Sequence, residues 1–176
     1  MKSRRTLATL YGVGLCGFAP GTAGSAVAAM LAYGILLVPY GWAVLPIAAA
    51  LFTYLGTQSA TRYMHDQGTA HDPGEIIVDE LAGQWFTYSL WHMLLIWFGD
   101  AGGQMDTICH EPLFLIAGFF LFRFFDIVKP WPISWADKNI HGGFGVMFDD
   151  LLAAIPAGIC LYGFYAYSDY FLAMMK

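Results

Sequence analysis

Charged residues are scarce in this chain of 176 residues, since only 12% are Asp, Glu, Lys or Arg whereas 58% are hydrophobic. A typical soluble domain carries about 25% charged residues, so this chain cannot cover a water-facing surface in the ordinary way. The same composition excludes a disordered chain. The formal net charge of −5 excludes nucleic acid as a partner, because a nucleic-acid-binding surface needs an excess of Lys and Arg. We therefore expect a lipid bilayer around this protein.

Cysteine is also scarce. Cys16, Cys109 and Cys160 are far apart and form no C-x-x-C pair, which argues against thiol chemistry and predicts that they pack among apolar residues. Internal repeats and a polar linker are absent as well. The sequence therefore predicts a single membrane-embedded domain over residues 1–176.

Long apolar segments are abundant and alternate with short polar segments rich in glycine and proline. Each is about 17–23 residues long, close to the length that crosses about 30 Å of hydrocarbon as a helix. They are Thr22–Val38, Trp42–Ala60, Ile76–Phe98, Pro112–Val128 and Val146–Tyr167. The predicted fold class is all-α, an integral membrane helical bundle of about five membrane-embedded helices. The turn at Pro39-Tyr40-Gly41 makes the first two helices a hairpin.

The basic residues indicate an orientation. If the chain crosses the membrane at every apolar segment, seven of the eight Lys and Arg residues fall on the side of the N-terminus. These seven are Lys2, Arg4, Arg5, Arg62, Arg123, Lys129 and Lys138, and only Lys176 falls on the other side. The positive-inside rule then predicts a multi-pass protein with this side in the cytoplasm.

Five acidic residues lie within or at the ends of three predicted spans: Asp79, Glu80, Asp126, Asp149 and Asp150. A charge within a membrane helix costs about 2.5–3.5 kcal/mol, which indicates that these acidic residues have a function. Clustered carboxylates repel each other unless a cation neutralises them, and hard oxygen ligands favour Mg²⁺ or Mn²⁺ over Zn²⁺. The alternative is structural, with these acids forming ion pairs with basic residues or capping helices.

Arg123, Asp126 and Lys129 recur at intervals of three residues before Pro130. Two cationic side chains beside an acid are suited to holding a phosphate dianion. A ladder of ion pairs within the helix is the alternative.

The segment Pro20-Gly-Thr-Ala-Gly-Ser25 opens the first apolar segment. Free backbone N–H groups at a glycine-rich helix start can bind an anion, which makes Thr22, Gly24 and Ser25 candidate substrate-binding residues. The alternative is that Thr22 or Ser25 caps the helix.

His141 precedes Gly142, Gly143 and Gly145. Glycine lets the backbone come close to a ligand, so Gly142 and Gly143 are candidate substrate-binding residues and His141 a candidate general acid. A hydrogen bond that braces the loop is the alternative role of His141.

Taken together, four motifs carry a family resemblance: Pro20-Gly-Thr-x-Gly-Ser, Asp79-Glu80-x-x-Gly83, Phe122-Arg-x-x-Asp-x-x-Lys-Pro-Trp-Pro-Ile and Asp137-x-x-x-His-Gly-Gly-x-Gly-x-Met-x-Asp-Asp. In this order they resemble the phosphatidylglycerophosphatase A family. The resemblance implies an all-helical, Mg²⁺-dependent lipid phosphatase of the bacterial inner membrane. Its phospholipid substrate would be phosphatidylglycerophosphate, and its products phosphatidylglycerol and inorganic phosphate.

On this hypothesis the candidate residues take chemical roles. The predicted metal ligands are Asp79, Glu80, Asp149 and Asp150, and the predicted catalytic residues are Arg123, Asp126, Lys129 and His141. Arg123 and Lys129 would stabilise the transferring phosphoryl group, and His141 would protonate the leaving alkoxide. Asp126 would be a further ligand or the base that orients water, and an aspartyl-phosphate route stays open. The roles of Glu75 and Asp137 also stay open.

Two other functions would also use acidic residues in a membrane. A phospholipid phosphotransferase of the CDP-alcohol type would need a D-x-x-D-G helix motif, which the sequence lacks. A small ion transporter would use intramembrane acids as ion sites, but here the acids gather at one face and no inverted repeat is visible. The sequence leaves the oligomeric state open.

Overall fold

The computed structural model describes residues 6–69, 73–98 and 111–174, and these ranges form helices and connecting turns with no strand. A short 3₁₀ helix, Leu10–Leu15, precedes the longer helices. These are α1 (Pro20–Leu36), α2 (Gly41–Gln67), α3 (Val78–Phe98), α4 (Pro112–Val128), α5 (Ile133–Asn139) and α6 (Gly142–Met174). The all-α prediction is confirmed.

The helix bounds follow the apolar segments, with differences at the ends. Helix α4 coincides with its predicted segment, because Pro112 begins it and Lys129, with a left-handed φ of 44°, ends it. Helix α2 continues past the predicted end at Ala60 to Gln67, since polar residues also extend a helix. The short helix α5 was not predicted, because its sequence follows two prolines and has no long apolar run.

The predicted count of about five membrane helices is not confirmed. Within residues 6–69, 73–98 and 111–174, two helices are long and apolar enough to cross a membrane, namely α2 and the Gly142–Ser168 part of α6. Helices α1 and α4 have 17 residues each, about 25 Å of helix, which is shorter than a hydrocarbon core of about 30 Å. Helix α3 is long enough, but Asp79, Glu80 and other polar residues lower its mean hydropathy.

The predicted helical hairpin forms, because α1 and α2 pack on each other and only residues 37–40 join them. The first residue of α2, Gly41, lies against the backbone of Ile35, where a Cβ atom would collide with the carbonyl oxygen. Glycine therefore allows the tight reversal of the chain.

Helix α3 is the centre of the bundle and packs against α1, α2, α4 and α6. Its Tyr88 and Trp91 side chains are fully buried. The Tyr88 hydroxyl donates to the Leu115 carbonyl at 2.7 Å, and Trp85 Nε1 donates to the Ala28 carbonyl at 2.8 Å. These bonds satisfy buried polar atoms and tie α3 to α1 and α4.

Glycines bring several helix ends together. The backbone of Gly24 in α1 lies against Ile77, just before α3. Gly143 in α6 lies against Thr57 and Thr61 near the end of α2, where a Cβ atom would collide with backbone and side chain. The starts of α1, α3 and α6 and the end of α2 therefore meet at one end of the bundle.

The prediction that the cysteines pack in the interior is wrong for two of them, since Cys16 and Cys160 are exposed. Cys109 lies outside the described residues. Apolar neighbours in the sequence did not indicate burial here, because Cys160 lies on the apolar outer face of α6 and Cys16 follows the 3₁₀ helix at an exposed position.

Large apolar side chains cover the outside of the long helices. Ile47 in α2 is 72% exposed, Phe120 in α4 is 64% exposed and Ile159 in α6 is 53% exposed. Continuous apolar surface of this kind is typical of contact with lipid or with another protein.

Candidate active site

Three carboxylates from two helices meet at this end of the bundle. Asp79 and Glu80 lie in the first turn of α3, and Asp150 lies in α6. Each offers an oxygen atom, and these atoms lie within 4.8 Å of one another. Asp79 and Asp150 are only 5% and 3% exposed. We call Asp79, Glu80 and Asp150 the acidic triad.

Gly83 allows the two helices to approach each other at the acidic triad. It lies one turn after Glu80, and a Cβ atom at this position would be 3.1 Å from Asp150 Cβ and 2.7 Å from two ring atoms of Phe122. Phe122 is fully buried. The packing of α3 against Phe122 and Asp150 therefore explains why the Asp79-Glu80-x-x-Gly83 motif has glycine at its last position.

The acidic triad has the chemistry of a divalent cation site. Glu80 Oε2 and Asp150 Oδ2 are buried and make no hydrogen bond within the described residues. Unneutralised carboxylates this close repel each other, and burial prevents water from screening them. All the donors are hard oxygen atoms, which suit Mg²⁺. The three residues of the acidic triad could therefore hold a metal ion of the predicted kind.

Arg123 joins the acidic triad to α1. Its Nη1 donates to Asp126 Oδ2 at 2.5 Å and to Ser25 Oγ at 3.3 Å, and lies 3.9 Å from Glu80 Oε1. The Arg123–Asp126 pair is within α4, as the ladder interpretation expects. The contacts with Ser25 and Glu80 reach other helices, so this guanidinium does more than stabilise its own helix.

Gly21 is a residue of this site that sequence reasoning missed. A Cβ atom on Gly21 would collide with Glu80 Oε1 and lie 3.2 Å from Arg123 Nη2. Glycine at this position lets the start of α1 lie against both charged groups without displacing their side chains. Its place directly after Pro20, in a glycine-rich helix start, was the available signal.

The start of α1 is not capped by Thr22 or Ser25, which corrects that alternative. Ala19 occupies the N-cap position and makes no side-chain hydrogen bond. Ser25 is buried and its hydroxyl donates to the Gly21 carbonyl at 3.0 Å while it accepts from Arg123. Thr22 is exposed, and Gly24 packs on Ile77. Of the three candidate substrate-binding residues in this segment, Ser25 is thus the one that contacts a charged site residue.

Lys129 forms a second charged group, because its Nζ lies 2.5 Å from Asp137 Oδ1 and 2.5 Å from Asp149 Oδ2. It therefore joins the end of α4 to α5 and α6. Partial burial by itself would lower the pKa of Lys129, but the hydrogen bonds and charges of Asp137 and Asp149 outweigh it and raise that pKa above its ordinary value. Lys129 is not part of a ladder with Arg123.

Asp149 directly precedes Asp150 of the acidic triad in the sequence, but its side chain contacts Lys129 rather than the other triad residues. One oxygen accepts from Lys129, and the other, Oδ1, is buried and has no hydrogen-bond partner among the residues that the structure describes. Consecutive helix residues point about 100° apart, so Asp149 and Asp150 face different neighbours. Asp137, whose role the sequence left open, is the other partner of Lys129.

His141 and its glycines lie at the start of α6. His141 is exposed, and Gly142 has a positive φ of 77°. Gly143 is buried against Thr57 and Thr61, so it has a packing reason for being glycine. Asp149 lies seven residues after Gly142, about 10 Å along the helix axis. His141 is therefore about two helical turns from the acidic residues of α6.

Glu75 lies outside the acidic triad. It is exposed, it precedes α3, and it accepts a hydrogen bond from the Tyr63 hydroxyl of α2. This contact gives Glu75 a structural partner and makes it a suitable control in experiments on the triad.

Buried acids that fit a divalent cation, beside an arginine and a lysine at one end of an apolar helical bundle, are typical of an enzyme that acts on phosphate esters. The comparisons with known proteins agree with this class. The phosphatidylglycerophosphatase A family matches residues 6–165, and the chain belongs to this family of phosphoric monoester hydrolases. The predicted resemblance and the enzyme class are thereby confirmed.

Two relatives bear the family name. Phosphatidylglycerophosphatase A of Escherichia coli is 33% identical over 89% of this chain and 80% of its own length. The protein of the same name from Haemophilus influenzae is 37% identical over 89% of this chain and 85% of its own length. A relative from Bacteroides thetaiotaomicron, proposed to be a phosphatidylinositol-3-phosphatase, is 34% identical over 88% of this chain and 89% of its own length. No solved structure matches the chain.

The packing at Gly83 gives a prediction. Gly83→Ala is expected to lower the free energy of unfolding by about 1–3 kcal/mol, because the added methyl group forces Phe122 and Asp150 away from α3. The matched control is Gly163→Ala in α6, where a Cβ atom meets nothing within 4 Å. There, alanine favours the helix by up to about 1 kcal/mol. Denaturation of both purified variants measures the difference, and equal stabilities would contradict the close approach of the helices.

Proposed function

We propose that this protein hydrolyses phosphatidylglycerophosphate to phosphatidylglycerol and inorganic phosphate, using Mg²⁺ at the acidic triad. The observation that carries the proposal is the contact of Arg123 with both the acidic triad and Ser25, in a chain of the phosphatidylglycerophosphatase A family. A phosphate group bound beside Arg123 would lie next to a cation at the triad. Headgroup transfer and ion transport, the two alternative functions, have no comparable support.

The phosphate would bind between the start of α1 and the end of α4. Arg123 offers further N–H groups besides those of Nη1, which bonds Asp126 and Ser25. Its Nε is buried and bonds to none of the residues described by the structure. A guanidinium binds phosphate through two parallel hydrogen bonds. The Ser25 hydroxyl and the backbone N–H groups near Gly21 lie on the same side of the site.

The residues around the bound phosphate would then have different chemical roles. Bound Mg²⁺ would polarise the phosphoryl oxygens and make water a better nucleophile. Asp126, held by Arg123, would accept a proton from the attacking water or itself attack phosphorus. Lys129 would contribute positive charge near the transferring group, and Asp149 would be either its partner throughout the reaction or a fourth ligand of the metal.

The leaving glycerol alkoxide needs a proton. His141 is proposed to supply it, with Gly142 leaving the backbone next to it uncovered by a side chain. Its exposed position supports access from water. A movement of the α5–α6 connection toward the triad would be needed for direct contact.

We place the site at the cytoplasmic face of the bacterial inner membrane in a multi-pass protein. The apolar outer faces of the helices support burial in lipid. Trp131 and Trp135, which are 81% and 53% exposed beside the site, suit the headgroup region of a bilayer. Arg62, Arg123, Lys129 and Lys138 belong to this end of the bundle, as the positive-inside rule requires of a cytoplasmic face.

The direct test is phosphate release by the purified protein in detergent. We expect inorganic phosphate from phosphatidylglycerophosphate with Mg²⁺ present, and none after chelation with EDTA. Phosphatidylinositol-3-phosphate is the comparison substrate, since one relative is proposed to act on it. Equal hydrolysis with EDTA would contradict the role of the metal, and faster hydrolysis of the inositol lipid would contradict the substrate.

A labelling experiment tests the orientation. In a variant whose three native cysteines are replaced by serine, Asn139→Cys at the site end should react with an impermeant thiol reagent only from the cytoplasm. Val38→Cys, which is exposed in the α1–α2 connection, should react only from the outside. Reaction of both from the same side would show that the hairpin enters and leaves the membrane at one face.

A further inference from the structure

An apolar groove of about 420 Å³ runs between α1 and α4. Its wall on α1 consists of Ala26, Ala29, Met30 and Tyr33, and its wall on α4 is one apolar face of that helix. None of its lining residues in the described part of the chain is charged. We propose that this groove binds an acyl chain of the phospholipid and so determines the preference of the site for lipid over soluble phosphate esters, an inference that rests on the proposed function.

The groove continues from the site along α4. Its α4 wall includes Phe119, Ile116 and Pro112, which lie four, seven and eleven residues before Arg123. Residues at these intervals share one face of a helix. The face that presents Arg123 to Ser25 is therefore the face that forms the groove.

In α1, as in α4, groove-lining residues share a helix face with a residue of the site. Ala29 and Tyr33 lie four and eight residues after Ser25, so all three share one face. The small side chains of Ala26 and Ala29 leave the space between the helices, and Tyr33 lies about 12 Å along the axis from Ser25. A molecule whose phosphate lies at Arg123 would find this space directly beside it.

An acyl chain is the occupant that fits this surface. Met30 and Ile116 are 66% and 55% exposed, so the groove opens sideways to the surroundings of the bundle rather than to its site end. In a bilayer, a chain can enter through this side while its headgroup stays at the water-facing end. Burying methylene groups between apolar walls is favourable, and the attached phosphate fixes which end of the chain lies at Arg123.

The test compares two substrates and two substitutions at adjacent positions of α1, in the full chain with Mg²⁺. The substrates are long-chain phosphatidylglycerophosphate and its water-soluble deacylated form. Ala26→Phe fills the groove, whereas Val27→Phe puts the same ring at a partly exposed position outside the groove lining. Ala26→Phe should lower the ratio of kcat/KM for the lipid to kcat/KM for the deacylated form about tenfold, or about 1.4 kcal/mol, through a higher KM for the lipid. Val27→Phe should keep the wild-type ratio.

A wild-type ratio in Ala26→Phe would overturn the proposal. This includes an equal loss of kcat/KM on both substrates, which would place the effect of the substitution at the headgroup site. If Ala26→Phe does not fold, Phe119→Ala removes a groove wall instead, and Phe120→Ala, 64% exposed on the next face, is its control. Phe119→Ala should lower the ratio and Phe120→Ala should not.

A second measurement separates the groove from the proposed function. A phosphatidic acid with a photoreactive diazirine on its acyl chain should label α1 and α4 at Met30 and Ile116 in wild type, and less in Ala26→Phe. Labelling spread evenly over all outer helix faces would overturn the groove. Labelling at these positions by a protein that releases no phosphate from either substrate would instead contradict the proposed function alone.

Discussion

Asp150→Asn is expected to reduce phosphate release from phosphatidylglycerophosphate on the order of a hundredfold or more, the scale on which loss of one charge-stabilising group slows an enzyme. The substitution keeps the shape of the side chain and removes one of three carboxylates that lie within 4.8 Å. A site that loses one charged oxygen ligand binds Mg²⁺ more weakly. Rates at limiting and saturating Mg²⁺ measure this effect.

Stability provides a second measurement for the same variant. Without metal, Asp150→Asn should unfold at a temperature no lower than wild type, because removing a negative charge reduces repulsion in the acidic triad. With Mg²⁺, the unfolding temperature of wild type should rise, since a ligand that binds the folded state stabilises it, and the variant should show little rise.

The control for Asp150→Asn is Glu75→Gln, which removes an exposed acid that contacts Tyr63 and is not in the triad. It should keep both the rate and the stabilisation by Mg²⁺. Wild-type activity and wild-type metal stabilisation in Asp150→Asn would contradict a shared cation site.

The sequence predicted the helices well because apolar length and proline positions determine where they begin and end. Helix α4 lies between Pro112 and Lys129-Pro130, and its bounds were correct to the residue. The number of membrane crossings was harder to predict. Helices of 17 residues are near the minimum for a span, so length alone does not separate a crossing helix from one packed inside the protein.

The sequence also placed the acidic residues at one end of the bundle, but it did not show which of them would meet. That depends on how closely the helices cross, and Gly21 and Gly83 set the distances. It depends as well on rotation about the helix axis, which turns Asp150 toward Glu80 while Asp149 meets Lys129. A motif written as Asp-Asp does not contain that information.

Arg123→Lys is expected to be almost as damaging as the loss of a triad acid, with kcat/KM lower on the order of a hundredfold. The guanidinium contacts Asp126 and Ser25 and lies 3.9 Å from Glu80. An ammonium has one nitrogen and cannot keep these partners while it also binds phosphate through two parallel hydrogen bonds. The same substitution at the exposed Arg62 is the control and should leave the rate unchanged.

Lys129→Ala helps to interpret the Arg123 result. Lys129 acts as a single charge between Asp137 and Asp149, so its loss should lower kcat/KM about tenfold, less than the loss of the guanidinium. Inorganic phosphate with Mg²⁺ should raise the unfolding temperature of wild type and of Lys129→Ala, but not that of Arg123→Lys. Equal, mild effects of both substitutions, with phosphate still stabilising Arg123→Lys, would mean that Arg123 only braces α4 against α1 and that the phosphate binds elsewhere.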